Sequence, residues 1–100
     1  MVKWTKHAKS QLRLIHDYIA QDSPLYAKRV AGELVRKTIG LDEIPRMGKV
    51  VPELRNPLIR ELDLYSYRIL YEIKSERLVF VLAVIHKRRK LDSREIPTES

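Results

Sequence analysis

There is no cysteine among the 100 residues of the chain. Disulfides and thiolate metal sites are excluded, and the composition suits a reducing cytoplasm, where the protein is expected to act. No apolar run approaches the ~18 residues that a membrane span needs, so no membrane association is expected. The opening stretch MVKWTKHAKS is charged where a secretory signal would be apolar. Glycine is scarce, at three residues, and none sits in a phosphate-cradling loop. A nucleophile elbow and a Cys/His pair are also missing, so kinase, dehydrogenase and serine-hydrolase chemistry has no carrier. The histidines, His7, His16 and His86, lack metal-ligand spacing. No metal or cofactor is expected.

Acidic residues are in the minority. Twenty Lys and Arg stand against 13 Asp and Glu, a formal charge of +7. Such an excess points to an anionic partner, nucleic acid or acidic protein; the plainer reading is a generally basic surface. Hydrophobic residues make up 44%, enough to bury a core. The length suits one domain over residues 1–100, with residues 92–100 expected as a flexible tail.

The apolar spacing changes along the chain. Met1 to Trp4 reads as a short first strand. Thr5 is a candidate N-cap, and Ala8, Leu12, Ile15 and Ile19 share one helical face. QDSP breaks that helix; Ser23 and Pro24 then suit the cap and first turn of a second one, with Ala27, Val30, Ala31, Leu34 and Thr38 on its inner face and Gly40 as terminator. The helices are placed at 7–20 and 24–40. DEIPRMGKVVPELRNP reads as a loop with a brief extended piece near Lys49 to Val51. From about Ile59 the period falls to two. Tyr67, Ile69, Tyr71 and Ile73 alternate with Arg68, Leu70 and Glu72, and Leu78 to Ile85 is apolar on both faces, as a covered central strand would be. The fold class is α+β, in the order β-α-α-β-β-β, with a helical hairpin on a small antiparallel sheet. Leu12, Ile15, Val30, Leu34, Ile69, Tyr71, Val81 and Ala83 are expected in the core.

Three features are candidates for chemistry. Arg68, on the polar side of its strand, offers a fork for phosphate; the plainer reading pairs it with Glu61 or Glu72. His86, which closes the last strand, can move a proton near neutral pH or simply bond a backbone group. The run Lys87, Arg88, Arg89 and Lys90 is dense enough to meet phosphates or an acidic segment, or to keep a strand end soluble. Antiparallel pairing across KSE sets Arg68 near Ala83 and His86 three residues on, roughly 10 Å at the strand rise. A bulge would change the face that His86 takes.

Four segments together resemble the RelE/ParE superfamily of bacterial toxins from type II toxin–antitoxin modules. They are AKSQLRLIHDYIAQDSPLYA, IPRMGKVVPEL, IRELDLYSYRILYEI and VFVLAVIHKRRKL. The resemblance implies the same β-α-α-β-β-β fold and no cofactor. It implies a growth inhibitor neutralised by a cognate antitoxin, acidic and partly disordered. ParE-like members poison DNA gyrase; RelE-like members cleave mRNA on the ribosome. YRILYEI and HKRRKL look closer to the ParE-like branch. A RelE-like reading would carry a general base onto Glu53, a phosphate clamp onto Arg68 and a general acid onto His86. The lysines prominent in some RelE-like enzymes find no counterpart, and no tyrosine follows His86. Target or antitoxin binding would fall to Lys87, Arg88, Arg89, Lys90 and Arg60.

Overall fold

The structure, a computed structural model, describes residues 1–89 and 91. Lys90 and the tail expected over residues 92–100 lie outside the described residues. The chain runs β1 (Val2–Trp4), α1 (Lys6–Ala20), α2 (Pro24–Lys37), β2 (Lys49–Val50), β3 (Ile59–Leu64), β4 (Tyr67–Ser75) and β5 (Leu78–His86). The expected α+β class holds. No helix among the described residues is long and apolar enough to cross a membrane.

Local chemistry sets the helix ends. The Thr5 hydroxyl accepts from the Ala8 N–H, and the Ser23 hydroxyl accepts from the Tyr26 N–H with Pro24 in the first turn. The second helix stops at Lys37, short of the expected Gly40. Thr38, Ile39 and Leu41 donate three residues back, to Val35, Arg36 and Thr38, which tightens the chain out of the α-helix. Gly40 then takes φ +89° in the turn that follows.

The sheet order is β1-β5-β4-β3-β2. The three pairings among β2, β3, β4 and β5 are antiparallel as expected, whereas β1 lies parallel to β5, with Val2 beside Val79 and Trp4 beside Val81. The parallel edge follows from strand parity: β2 runs opposite to β1, and the three antiparallel pairings from β2 to β5 bring β5 back to the direction of β1.

Both faces of β5 are covered. On the helix side, Ala8, Val30, Leu34, Ile69, Tyr71 and Val81 form one apolar cluster. On the other, Val51, Ile59, Leu70, Leu82, Ile85 and Leu91 form a second, under the loop after β2. Six of the eight expected core residues are buried; Leu12 and Ile15 are only partly so. Each of these two lines a groove open to water on one flank of α1.

The central loop is pinned by one hydroxyl. Tyr71, fully buried, donates to the Pro45 carbonyl at 2.6 Å and accepts from the Gly48 N–H at 2.9 Å. A Cβ at Gly48 would stand 2.5 Å from the Glu61 carbonyl oxygen and 2.7 Å from that hydroxyl. The near neighbours are backbone and a core ring, neither of which yields. Gly48→Ala is therefore expected to cost about 1–3 kcal/mol, read as a lower urea midpoint. An unchanged midpoint would mean that the loop gives way freely.

Candidate functional site

The strand arginine is not an open fork. Arg68 and Glu61 are diagonal neighbours on the face of β4 and β3 away from the helices, since Glu61 pairs with Leu70. The Arg68 Nε donates to Glu61 Oε1 at 2.6 Å, and Nη2 reaches Glu61 Oε2 at 3.3 Å. From the loop, Glu53 accepts Nη1 at 2.7 Å and Nη2 at 2.8 Å. Four hydrogen bonds thus occupy a group that has five N–H donors. Arg68 is 8% exposed and Glu61 4%. The expected pairing with Glu61 is present, whereas Glu72 lies by Lys74, 3.8 Å away.

The fork fixes the charge state of its loop partner. Hydrogen bonds from Arg68 hold the Glu53 carboxyl down to about 2 against its ordinary 4.5. A group so poised is ionised and saturated, which suits a tether rather than a proton acceptor at neutral pH. Its sign follows from linkage: a lowered carboxylate pKa stabilises the fold above the ordinary value, and that contribution is lost as pH falls from about 4.5 to 2. Glu53→Gln is expected to flatten that part of the stability profile, measured as thermal midpoint against pH. An equally steep profile in the variant would remove the tether.

His86 stands elsewhere. In β5, Leu82 is an extra residue: Leu70 pairs with Ala83 but Tyr71 with Val81. This bulge reverses the alternation, so Leu82 and Ala83 both face the second cluster and Val84 returns to the helix side. His86 therefore pairs with Tyr67 and shares its face, while Arg68, paired with Ile85 rather than with Ala83, points the other way. The His86 ring meets Tyr67 edge-on at 5.9 Å between centroids. Its Nδ1 accepts the Arg88 N–H at 3.1 Å, which leaves Nε2 to carry the proton of the neutral ring. The structure brings Glu53 and Arg68 together, and places His86 across the sheet from both. The three do not surround one phosphate.

The cation run continues β5 as a turn. The Lys87 N–H donates to the Ser66 carbonyl at 2.8 Å, and the Arg89 N–H to the His86 carbonyl at 3.0 Å. Lys87, Arg88 and Arg89 are exposed; Lys90 lies outside the described residues. Arg60 is engaged elsewhere, its Nη1 donating to the Gly48 carbonyl at 2.8 Å and its Nε to the Pro57 carbonyl at 3.1 Å. It braces the central loop against β3.

Beside His86 lies a groove of about 760 Å³ between the helices and the end of the sheet. Tyr18, Tyr26, Tyr65, Tyr67 and His86 line it, over Ile15 and Val30, with Arg89 also in the lining and no acidic side chain among the described residues. Four of the chain's five tyrosines face this one space. Tyr65 holds φ +55° in the β3–β4 turn, and its hydroxyl donates to Glu33 of α2. A bulky residue in that conformation is strained, and such strain collects at working surfaces. Sequence reasoning missed Leu14, Tyr18 and Tyr26. Their signal was present: Leu14 and Tyr18 are large, four residues apart, and off the buried stripe, and they are 67% and 73% exposed.

The groove is aromatic and apolar, with Arg89 the one cation in its lining among the described residues. Comparison with known proteins identifies the kind of protein. The family described as the ParE toxin of the type II toxin–antitoxin system parDE matches residues 2–91. The chain belongs to that family. Toxin RelE2 of Caulobacter vibrioides is 33% identical to this ParE-family chain over 88 residues, covering 88% of the chain and 96% of that protein. A solved structure, the chromosomal ParDE TA system from P. aeruginosa, shares the fold with TM-score 0.69 at 22% identity, over 85% of this chain and 92% of that one. A ParE-family toxin is one half of a pair, so the chain has a cognate antitoxin as its partner.

Proposed function

We propose that this toxin arrests growth by binding and inhibiting DNA gyrase, without cleaving RNA. One observation carries the choice: Arg68 is engaged by Glu53 and Glu61 through four hydrogen bonds, while His86 lies on the opposite face of the sheet. Cleavage by attack of a 2′-hydroxyl needs a base, a charge clamp and an acid around one phosphate. The similar proteins carry both RelE and ParE in their names, so the choice of target rests on this arrangement. Under this reading Lys87 and Arg88 meet gyrase as exposed charges. The antitoxin, an acidic and partly disordered chain, covers the aromatic groove and the Arg89 in its lining. Both partners place the toxin in the cytoplasm.

The test is a supercoiling assay with purified gyrase, run beside mRNA cleavage mapping in induced cells. Wild type is expected to inhibit supercoiling and to leave mRNA intact. His86→Ala is expected to inhibit within about fivefold of wild type, because most interface truncations cost under ~1 kcal/mol. The charge reversal Lys87→Glu/Arg88→Glu is expected to weaken inhibition, with a lower salt sensitivity. Ribosome-dependent mRNA cleavage that vanishes in His86→Ala would overturn the proposal in favour of a RelE-like endonuclease.

A further inference from the structure

The helical hairpin turns a row of cations outward from each helix. On α1, Lys6, Lys9 and Arg13 follow at steps of three and four residues, so they share one face, and all three are exposed. That face is neither the buried one of Ala8 nor the flank of Leu14 and Tyr18 that borders the aromatic groove. On α2, Lys28, Gly32 and Arg36 share a face at steps of four, and both cations are exposed. The two rows adjoin. Val35, seven residues on from Lys28 and next to Arg36, lines a trough of about 610 Å³ together with Lys6, Lys9 and Leu12 of α1.

None of these five cations makes an ion pair among the described residues. The acids of the two helices are taken up elsewhere. Asp17 Oδ1 lies 3.1 Å from His16 Nδ1, and Glu33, on the flank of α2 away from Val35, accepts from the Tyr65 hydroxyl. Gly32 leaves the middle of its row without a side chain. The Arg36 guanidinium lies back over that gap: a Cβ at Gly32 would stand 3.2 Å from Nη1 and 3.5 Å from Nη2. A guanidinium is thus held along the helix surface with no carboxylate beside it.

We infer that this outward face of the hairpin binds duplex DNA along its phosphate backbone, without reading its sequence. At the helical rise each row is about 10–12 Å long. That length spans about three successive phosphates of one strand, at ~3.4 Å each. Packed helices lie about 8–10 Å apart, so the long side chains of the two rows reach the phosphates on both banks of a minor groove about 6 Å wide. A guanidinium without a carboxylate has its fork free for a phosphate. Other anions fit less well. A single strand calls for aromatic platforms on which its bases stack, and neither row contains an aromatic residue. An extended acidic peptide would gain no main-chain hydrogen bonds here, because helix backbone groups are already paired. The inference goes beyond the gyrase reading and does not depend on it.

The experiment is fluorescence anisotropy of a labelled duplex of about 20 base pairs and mixed sequence, titrated with the full chain between about 50 and 200 mM salt and without gyrase. Five phosphate contacts give an expected log–log slope of affinity against salt of about −4 to −5. Arg13→Gln/Arg36→Gln is expected to weaken binding about tenfold and to reduce the slope by about two, while the protein still unfolds cooperatively. Lys87→Gln/Arg88→Gln removes the same net charge from another surface and is expected to weaken binding no more than about twofold. Three results would overturn the inference. One is no binding of the duplex at the lowest salt. Another is an equal loss in the two double variants, which would make binding a property of net charge and not of this face. The third is tighter binding of a dT oligonucleotide or a polyglutamate peptide than of the duplex.

Discussion

Leu34→Ala is expected to lower the unfolding free energy by about 2–5 kcal/mol, read as a shift of the urea midpoint at constant slope. Leu34 sits at the start of the last turn of α2, fully buried, in the cluster that contains Ile69, Tyr71 and Val81. Its removal forfeits the transfer free energy of three carbons and leaves a cavity. The walls cannot close over it. On one side is the sheet, where Tyr71 is tied at both hydrogen-bonding positions of its hydroxyl. On the other is α1, whose N-cap is bonded to β5 through the Thr5 N–H. For a domain holding about 5–15 kcal/mol in total, this loss is a large share. Leu12→Ala is the control: Leu12 lies on the predicted stripe of α1 but borders the trough, half-buried, so its loss is expected to cost less. Equal costs at the two positions would show that the trough is closed in solution. An unchanged midpoint for Leu34→Ala would overturn the assignment of the helix face.

The fold was legible where one residue type has one physical use. Thr5 and Ser23 cap because a short hydroxyl beside an apolar period can satisfy the first free N–H groups of a helix. Tyr67, Ile69, Tyr71 and Ile73 lie on the helix side because a two-residue period allows no other placement. The parallel pairing of β1 was not legible, since three residues carry no signal of strand direction.

The site was less legible, for a related reason. A bulge is one residue inserted into an unbroken apolar run, and in VFVLAVI every position is apolar, so no pattern marks Leu82 as the extra one. That single residue decides which face His86 takes. The Glu61 pairing was within reach because strands β3 and β4 are adjacent in sequence. Glu53 approaches from a loop, and its bidentate bond to Arg68 depends on how that loop folds over the second cluster. The aromatic groove is assembled from four separate elements, and no local window contains it.

Arg68→Ala is expected to cost about 3–5 kcal/mol, the range for removing one partner of a buried ion pair. The variant would keep Glu61, 4% exposed, with no guanidinium beside it. It would also free Glu53 and with it the loop over Val51 and Leu54. The deficit is expected to narrow as pH falls from about 4.5 to 2, because there the wild type loses what Glu53 contributes. Arg68→Lys is expected to fall between: it keeps the charge, but an ammonium cannot offer the fork that engages both carboxylates. Replacing the pair together, as in Arg68→Met/Glu61→Leu, is expected to recover most of the stability, since an apolar pair of similar volume removes the orphaned charge. The double variant also separates scaffold from chemistry. With the fold restored and no guanidinium present, inhibition of gyrase is expected to return toward the wild-type level. An Arg68→Ala protein as stable as wild type yet without activity, or a stable double variant without activity, would mean that the guanidinium acts on the target itself.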